Sequence, residues 1–182
     1  MQTVKMVITG PFSSGKTEFI RSISEIEVVS TEREVTGDQE RMVKNATTVA
    51  MDFGRITLNH DLVLYLFGTP GQDRFLFVWD ELALGAIGAI VLADTRRLAD
   101  CFPSVDYFER RGLPFIVAVN CFEGTRLFEP AEVQLALNLD PGVPVIMCDA
   151  RRRDSAKETL IALVEHAMKT AWGQQDEPAT VS

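Results

Sequence analysis

Eight residues near the start of the chain, Gly10-Pro11-Phe12-Ser13-Ser14-Gly15-Lys16-Thr17, constrain its fold more than any other segment. They match G-x-x-x-x-G-K-[ST]. They lie between a short apolar run with Val4, Met6, Val7 and Ile8 and a stretch carrying Phe19, Ile20 and Ile23 at helical spacing. A strand that passes through a glycine-rich turn directly into a helix points its backbone N–H groups inward at the helix N-terminus, which makes a cradle for phosphate. Gly10 and Gly15 let the backbone wrap closely, and Ser13 and Ser14 complete the cradle. In such a loop Lys16 reaches the β- and γ-phosphates and Thr17 offers a hydroxyl to Mg²⁺. The first expectation is therefore a bound nucleoside triphosphate.

The remaining pattern alternates strands with helices. From Glu25 to Asn45 the periodic pattern stops, and the stretch holds Glu25, Glu27, Glu32, Glu34, Asp38 and Glu40, so it reads as a long polar loop. Two strands, about 48–58 and 62–68, are joined by Asn59-His60-Asp61, a link short enough to make them an antiparallel hairpin. Leu62 to Phe67 is an unbroken apolar run, as in a strand covered on both faces. After Gly68-Thr69-Pro70-Gly71 come a helix, a strand over 87–93, a helix over 100–111, a strand over 114–119, a short helix over 130–137 and a strand over 143–147. Ser155 and Glu158 form a capping-box signature for the last helix. Its Leu160, Leu163, Val164, Ala167, Met168 and Ala171 fall on one face. The expected class is α/β: a three-layer sandwich with a six-stranded, mostly parallel sheet, one antiparallel strand and about five helices. One domain spans 1–172, and 173–182 read as a polar, disordered tail.

At 182 residues the chain suffices for one full core. Its net charge of −8 argues against the phosphate-neutralising binding that nucleic acids require. Cys101, Cys121 and Cys148 lack disulfide or metal-ligand spacing, so a reducing cytoplasm is expected. No apolar run reaches the roughly 20 residues of a membrane span. The termini carry no secretory, myristoylation or prenylation signal, which leaves membrane contact to a partner.

Four further segments occur in order after the loop: Thr47-Thr48-Val49-Ala50-Met51-Asp52-Phe53-Gly54, Gly68-Thr69-Pro70-Gly71-Gln72-Asp73, Asn120-Cys121-Phe122-Glu123 and Cys148-Asp149-Ala150-Arg151. With these the sequence resembles the Ras-like superfamily of small GTPases, whose domain is a P-loop NTPase fold. Within it, the chain resembles the bacterial GTPases of conservon operons, which are related to the gliding-motility GTPase. The resemblance covers residues 1 to about 172 and implies GTP/GDP and Mg²⁺ as ligands. It assigns Thr48, with Thr47 as its rival, to the Mg²⁺ shell and γ-phosphate sensing. Gly71 would donate its N–H to the γ-phosphate and Gln72 would orient the attacking water. Asn120, Cys121 and Glu123 would read the base, because a carboxylate accepts from guanine N1 and N2 and adenine has no matching donors. The N–H of Ala150 would meet guanine O6. The implied partners are a regulatory or effector protein at the switch regions, a roadblock-domain protein and a membrane sensor resembling a histidine kinase.

The chain departs from the family pattern at four positions. Gly68 stands where relatives carry the aspartate that holds Mg²⁺ through water, which leaves the metal to Thr17, Thr48, phosphates and water. Phe12 is bulky where glycine is frequent, Cys121 replaces a lysine, and Glu123 replaces an aspartate. These departures predict a switch that hydrolyses GTP slowly. The alternative is a nucleotide-binding interaction module with little or no turnover. A nucleoside or nucleotide kinase shares the loop, but the chain shows no clear acceptor site or arginine-bearing lid. Arg33 and Arg41 read as solvated charges, with an arginine finger in cis as the alternative. Arg151-Arg152-Arg153 reads as compensation for the acidic surface or as a neighbour of the base pocket. The apolar run Phe75-Leu76-Phe77-Val78-Trp79 fits either core or a partner surface.

Overall fold

The computed structural model of the chain describes residues 2–30, 51–71 and 76–173. In chain order the elements are β1 (Gln2–Thr9), α1 (Lys16–Ile23), β2 (Val29–Ser30), β3 (Asp52–Asn59), β4 (Leu62–Gly68), α2 (Leu76–Ala83) and β5 (Ala86–Ala93). A 3₁₀ segment (Thr95–Cys101), α3 (Phe102–Arg111), β6 (Phe115–Asn120), α4 (Pro130–Ala136), β7 (Val145–Cys148) and α5 (Arg153–Gly173) complete them. The sheet order is β2-β3-β4-β1-β5-β6-β7. Neighbours from β4 to β7 pair in parallel, and β3 runs antiparallel to both β2 and β4.

This is the expected mixed α/β sheet with seven strands among the described residues rather than six. The extra one, β2, falls inside the stretch read as loop. Two residues carry no alternation to read; Val29 and Ser30 pair with Phe53 and Asp52 of β3. The hairpin is present, but its first strand begins at Asp52, and residues 48–50 lie outside the described set.

Local chemistry explains the helices. Gly15 precedes α1 in a left-handed conformation (φ 101°). Pro103 sits in the first turn of α3, and Gly112 (φ 61°) closes it. Glu129 and Glu132 cap α4 reciprocally. The capping box read at Ser155 is not where the last helix starts: α5 begins at Arg153, and the Ser155 hydroxyl instead accepts the N–H of Asp149 at 2.9 Å. A serine two residues inside the helix has the same short reach to a backbone donor, here in the preceding loop.

Successive residues of the parallel strands face opposite layers. Met6, Ile8, Ile90 and Leu92 pack with Phe19, Ile20, Leu160 and Leu163 from α1 and α5. Val7, Ala89, Val91 and Phe115 pack with Leu82, Val105, Phe108 and Val133 from α2, α3 and α4. Leu160 and Leu163 are buried as the helical spacing requires, whereas Met168 and Trp172 near the end of α5 are exposed. In the apolar run, Trp79 is buried and Val78 half-buried. No described helix is long and apolar enough to cross a membrane.

Phe108 is 1% exposed and centres an aromatic group with Trp79, Tyr107 and Phe115. Phe108→Ala is expected to cost about 3–5 kcal/mol of unfolding free energy. Urea denaturation followed by circular dichroism measures it, and a loss below about 1 kcal/mol would show that the second layer repacks freely.

Candidate functional site

The glycine-rich loop leaves the carboxyl end of β1, which has β4 on one side and β5 on the other. In an open parallel sheet that is the crevice where ligands bind. The loop conformation is demanding. Gly10 has φ 139°, and a Cβ there would lie 2.4 Å from the Leu92 carbonyl oxygen. A Cβ on Gly15 would lie 2.4 Å from Asn120 Nδ2. Ser13 itself adopts φ 59°, and the Ser14 N–H donates to Pro11 O at 3.2 Å. The Ser14 hydroxyl is buried without a partner among the described residues. A buried orphan donor in a cradle of backbone N–H groups matches the chemistry of a phosphate oxygen.

Lys16 is buried, and its ammonium donates to Gly10 O at 2.8 Å and Pro11 O at 2.7 Å. Burial pushes its pKa down to about 8, against the opposing pull of Asp52. The ammonium therefore already sits inside the loop, aimed at its mouth. Gly71 closes on the same place: a Cβ there would lie 2.8 Å from Phe12 N and 3.1 Å from Lys16 Nζ. The turn after β4 thus packs on the loop backbone, and glycine is the residue that permits it.

Asp52 is the residue that the sequence reading missed. Thr17 Oγ1 donates to Asp52 Oδ2 at 2.5 Å. Asp52 is directly opposite Gly68 in the β3–β4 ladder, and a Cβ on Gly68 would come within 3.1 Å of the Asp52 Cβ. The carboxylate expected at Gly68 is absent from β4, but one arrives from the adjacent strand. A carboxylate from β3 therefore lies at the Thr17 hydroxyl, beside the position where β4 carries Gly68. The signal was present in the sequence, because hairpin register pairs 52 with 68 once the strand ends are known.

On the other side of the loop, Asn120 ends β6 and is 7% exposed. Its Nδ2 donates to Ser14 O at 3.0 Å, and its Oδ1 accepts the Ala150 N–H at 3.1 Å. A cavity of about 330 Å³ opens beside it, lined by Gly15, Asn120, Cys121, Glu123, Ala150 and Arg151 among others. The Ala150 N–H assigned to a base oxygen is here bonded to Asn120. Cys121 is half-buried, and its N–H donates to Cys148 O at 2.7 Å. Glu123 stands at the rim with its side chain 93% exposed, 3.9 Å from Arg151. Arg151 and Asp149 form a paired fork with contacts of 2.9 Å, which holds the Asp149 carboxyl below its usual range.

A second feature missing from the sequence reading braces this rim. Asp94 is 1% exposed and grips the Arg96 guanidinium at 2.8 and 2.7 Å. Arg96 in turn lies 4.2 Å over the Phe122 ring. No spacing motif marks such a contact, which depends on β5 and β6 ending side by side. Gly15, Asn120, Cys121, Glu123 and Ala150 therefore line the cavity, while Gly10, Ser13, Ser14, Lys16 and Thr17 belong to the adjoining loop on which Gly71 packs. Thr47, Thr48, Gln72, Arg33 and Arg41 lie outside the described residues.

The fold is that of small GTPase domains. The G domain of the T. maritima FeoB iron transporter superposes with a TM-score of 0.62 at 18% identity, over 93% of this chain and 99% of that one. The Arl6 (BBS3) small GTPase of Trypanosoma brucei, solved with GppNp, gives 0.66 at 16% identity, over 93% and 99%. An uncharacterized protein of Methanocaldococcus jannaschii is 25% identical over 119 residues, which are 64% of this chain and 69% of that protein. Residues 8–170 match the family described as "Conserved hypothetical ATP binding protein", and the chain belongs to that family.

Proposed function

We propose that the protein is a guanine-nucleotide-dependent molecular switch that binds GTP and GDP with Mg²⁺ and hydrolyses GTP slowly to control a signalling partner. The observation that carries this reading is the clip at Asn120, which sets a phosphate cradle against a 330 Å³ cavity with Glu123 at its rim. The loop would hold the phosphates, with Lys16 moving from the Gly10 and Pro11 carbonyls onto the β- and γ-oxygens. Glu123 would turn inward to accept from guanine N1 and N2.

The chain's residues fit a divalent cation, because Thr17 and Asp52 place a hydroxyl and a carboxylate together at the start of α1. Bound Mg²⁺ neutralises charge that builds on the β- and γ-oxygens. Thr17 and Thr48 would supply its hydroxyl ligands, and Asp52 would orient the shell. Gly71 would give its N–H to the γ-phosphate, and Gln72 would position the water. Loss of the γ-phosphate would release both segments.

A module with little turnover is the second reading, favoured by Gly71 packing directly on the backbone of the bulky Phe12. The family's description names ATP, so adenine is the competing base. The resemblance to conservon-operon and gliding-motility GTPases supports a roadblock-domain partner and a sensor-kinase-like membrane partner. These would recruit a cytoplasmic domain of residues 1–172 with a tail at 173–182.

Titration calorimetry with Mg·GTP and Mg·ATP tests the reading. The chain is expected to prefer GTP, Lys16→Ala to lose both nucleotides while staying folded, and Glu123→Ala to lose about 10- to 100-fold in GTP affinity alone. Preference for ATP would end the guanine assignment. Asp52→Asn is expected to raise the Mg²⁺ concentration that slows dissociation of a fluorescent GTP analogue by about 10- to 100-fold. An unchanged Mg²⁺ dependence removes Asp52 from the shell.

The depressed Lys16 pKa adds a pH signature. Between about 8 and 10.5 the buried amine is largely neutral, whereas pairing with phosphate restores its proton. GTP binding at pH 9 is therefore expected to take up protons, read from calorimetry in buffers of different ionisation enthalpy, and the Lys16 contribution should vanish at pH 6.5. Equal proton uptake at both pH values contradicts this coupling.

A further inference from the structure

Arg97 reaches the phosphate loop from the opposite wall. The buried Asp94 accepts the Arg96 N–H at 3.0 Å and grips its guanidinium, which fixes the start of the 3₁₀ segment. One residue later the backbone leaves the helical region, with φ −143° and ψ 48° at Arg97. There the Arg97 side chain turns to the loop, and its Nη2 donates to Phe12 O at 2.6 Å. Arg97 also lies 3.8 Å from Asp100, between half-exposed groups, which exerts little hold, and it adds to the positive charge felt by Asp94.

The position matters more than the single bond. Phe12 N lies against Gly71, and Gly71 lies against the Lys16 ammonium. These three groups mark the γ-phosphate edge of the cradle, because the loop lysine reaches the β- and γ-oxygens. The guanidinium on the carbonyl of Phe12 is bound one peptide unit along the loop from that edge, with N–H groups left over for a phosphate oxygen. Phe12 is 63% exposed, so an arginine offered by a partner must pass its ring. Arg97 has no such path to travel.

We propose that Arg97 is a catalytic arginine acting in cis, donating to the γ-phosphoryl oxygens as GTP is cleaved. The inference rests on the hydrolytic reading above. In the step, the water oxygen bonds to the γ-phosphorus, and the bond to the β–γ bridging oxygen breaks with its electron pair left on GDP. The water proton leaves with the phosphate or to solvent. Arg97 stays protonated throughout and stabilises the charge on the transferring group.

The test is single-turnover phosphate release from Mg·GTP by the full chain, with GDP affinity and fluoroaluminate uptake by the GDP complex measured alongside. Arg97→Ala is expected to slow release by about 10³-fold and to abolish fluoroaluminate uptake. Arg97→Lys should recover little, because the fork is lost. GDP affinity should hold within about twofold in both variants, as the arginine acts on the γ-phosphoryl alone. Unchanged release in Arg97→Ala overturns the role of Arg97 and leaves the hydrolytic reading standing. Parallel loss of GDP and GTP affinity makes Arg97 a structural tie of the loop and equally overturns the proposal. A wild-type chain that binds GTP without releasing phosphate or taking up fluoroaluminate sinks the hydrolytic reading and the role of Arg97 with it.

Discussion

The site depends on one buried carboxamide. Asn120 is rooted in β6, yet it bonds to the loop after β1 through Ser14 O and to the loop after β7 through the Ala150 N–H. Its amide also occupies the space that a side chain on Gly15 would need. The two bonds use both ends of the amide, one as donor and one as acceptor, and the side chain is shielded from water. Each such bond contributes only about 1 kcal/mol, but an unpaired partner left behind would cost about 1–3 kcal/mol. The three loops therefore stay aligned, and the cavity between them keeps its width. The Asp94–Arg96–Phe122 contact braces the same rim from the β5 side.

The corner at Thr17 shows how a carboxylate missing from one strand can be supplied by its neighbour. A carboxylate delivered from β4 and one delivered from β3 reach the same place, because opposed residues of an antiparallel pair stand roughly 5 Å apart. Gly68 and Asp52 are such a pair. The Cβ that an aspartate at 68 would bring has to share space with the Asp52 Cβ at 3.1 Å and with Ile20. A side chain at 68 would have to push Asp52 or Ile20 aside by a few tenths of an ångström, so glycine at 68 leaves Asp52 its place without that shift.

Features set by local rules were legible in the sequence. The loop spacing, the apolar run of β4 and the hairpin link all depend on neighbours within a few residues. What escaped depends on register between strands or on side chains brought together from afar. Asp52 needed the pairing of β3 with β4, Arg97 needed the approach of the β5 end to Phe12, and β2 was too short to carry a pattern. The capping box at Ser155 failed for a related reason. Its hydroxyl answers an N–H in the β7–α5 loop, a partner that a rule built on spacing within the helix does not see.

The turn after β4 is tied at two successive residues. Pro70 O accepts the indole N–H of Trp79 at 3.3 Å, and Trp79 is stacked on Phe108 in the second core layer. The next residue, Gly71, rests on Phe12 and the Lys16 ammonium. In the proposed switch a γ-phosphate competes for the space and the donors around Lys16, so it acts on a turn already anchored in α2. Asp80, one residue beyond Trp79, bonds to Tyr107 at 2.7 Å and to Arg111 at 2.9 Å on α3. Displacing Gly71 therefore strains a packed aromatic layer rather than a free loop. A layer of close-packed rings tolerates few intermediate positions, and this favours two discrete arrangements over a graded one.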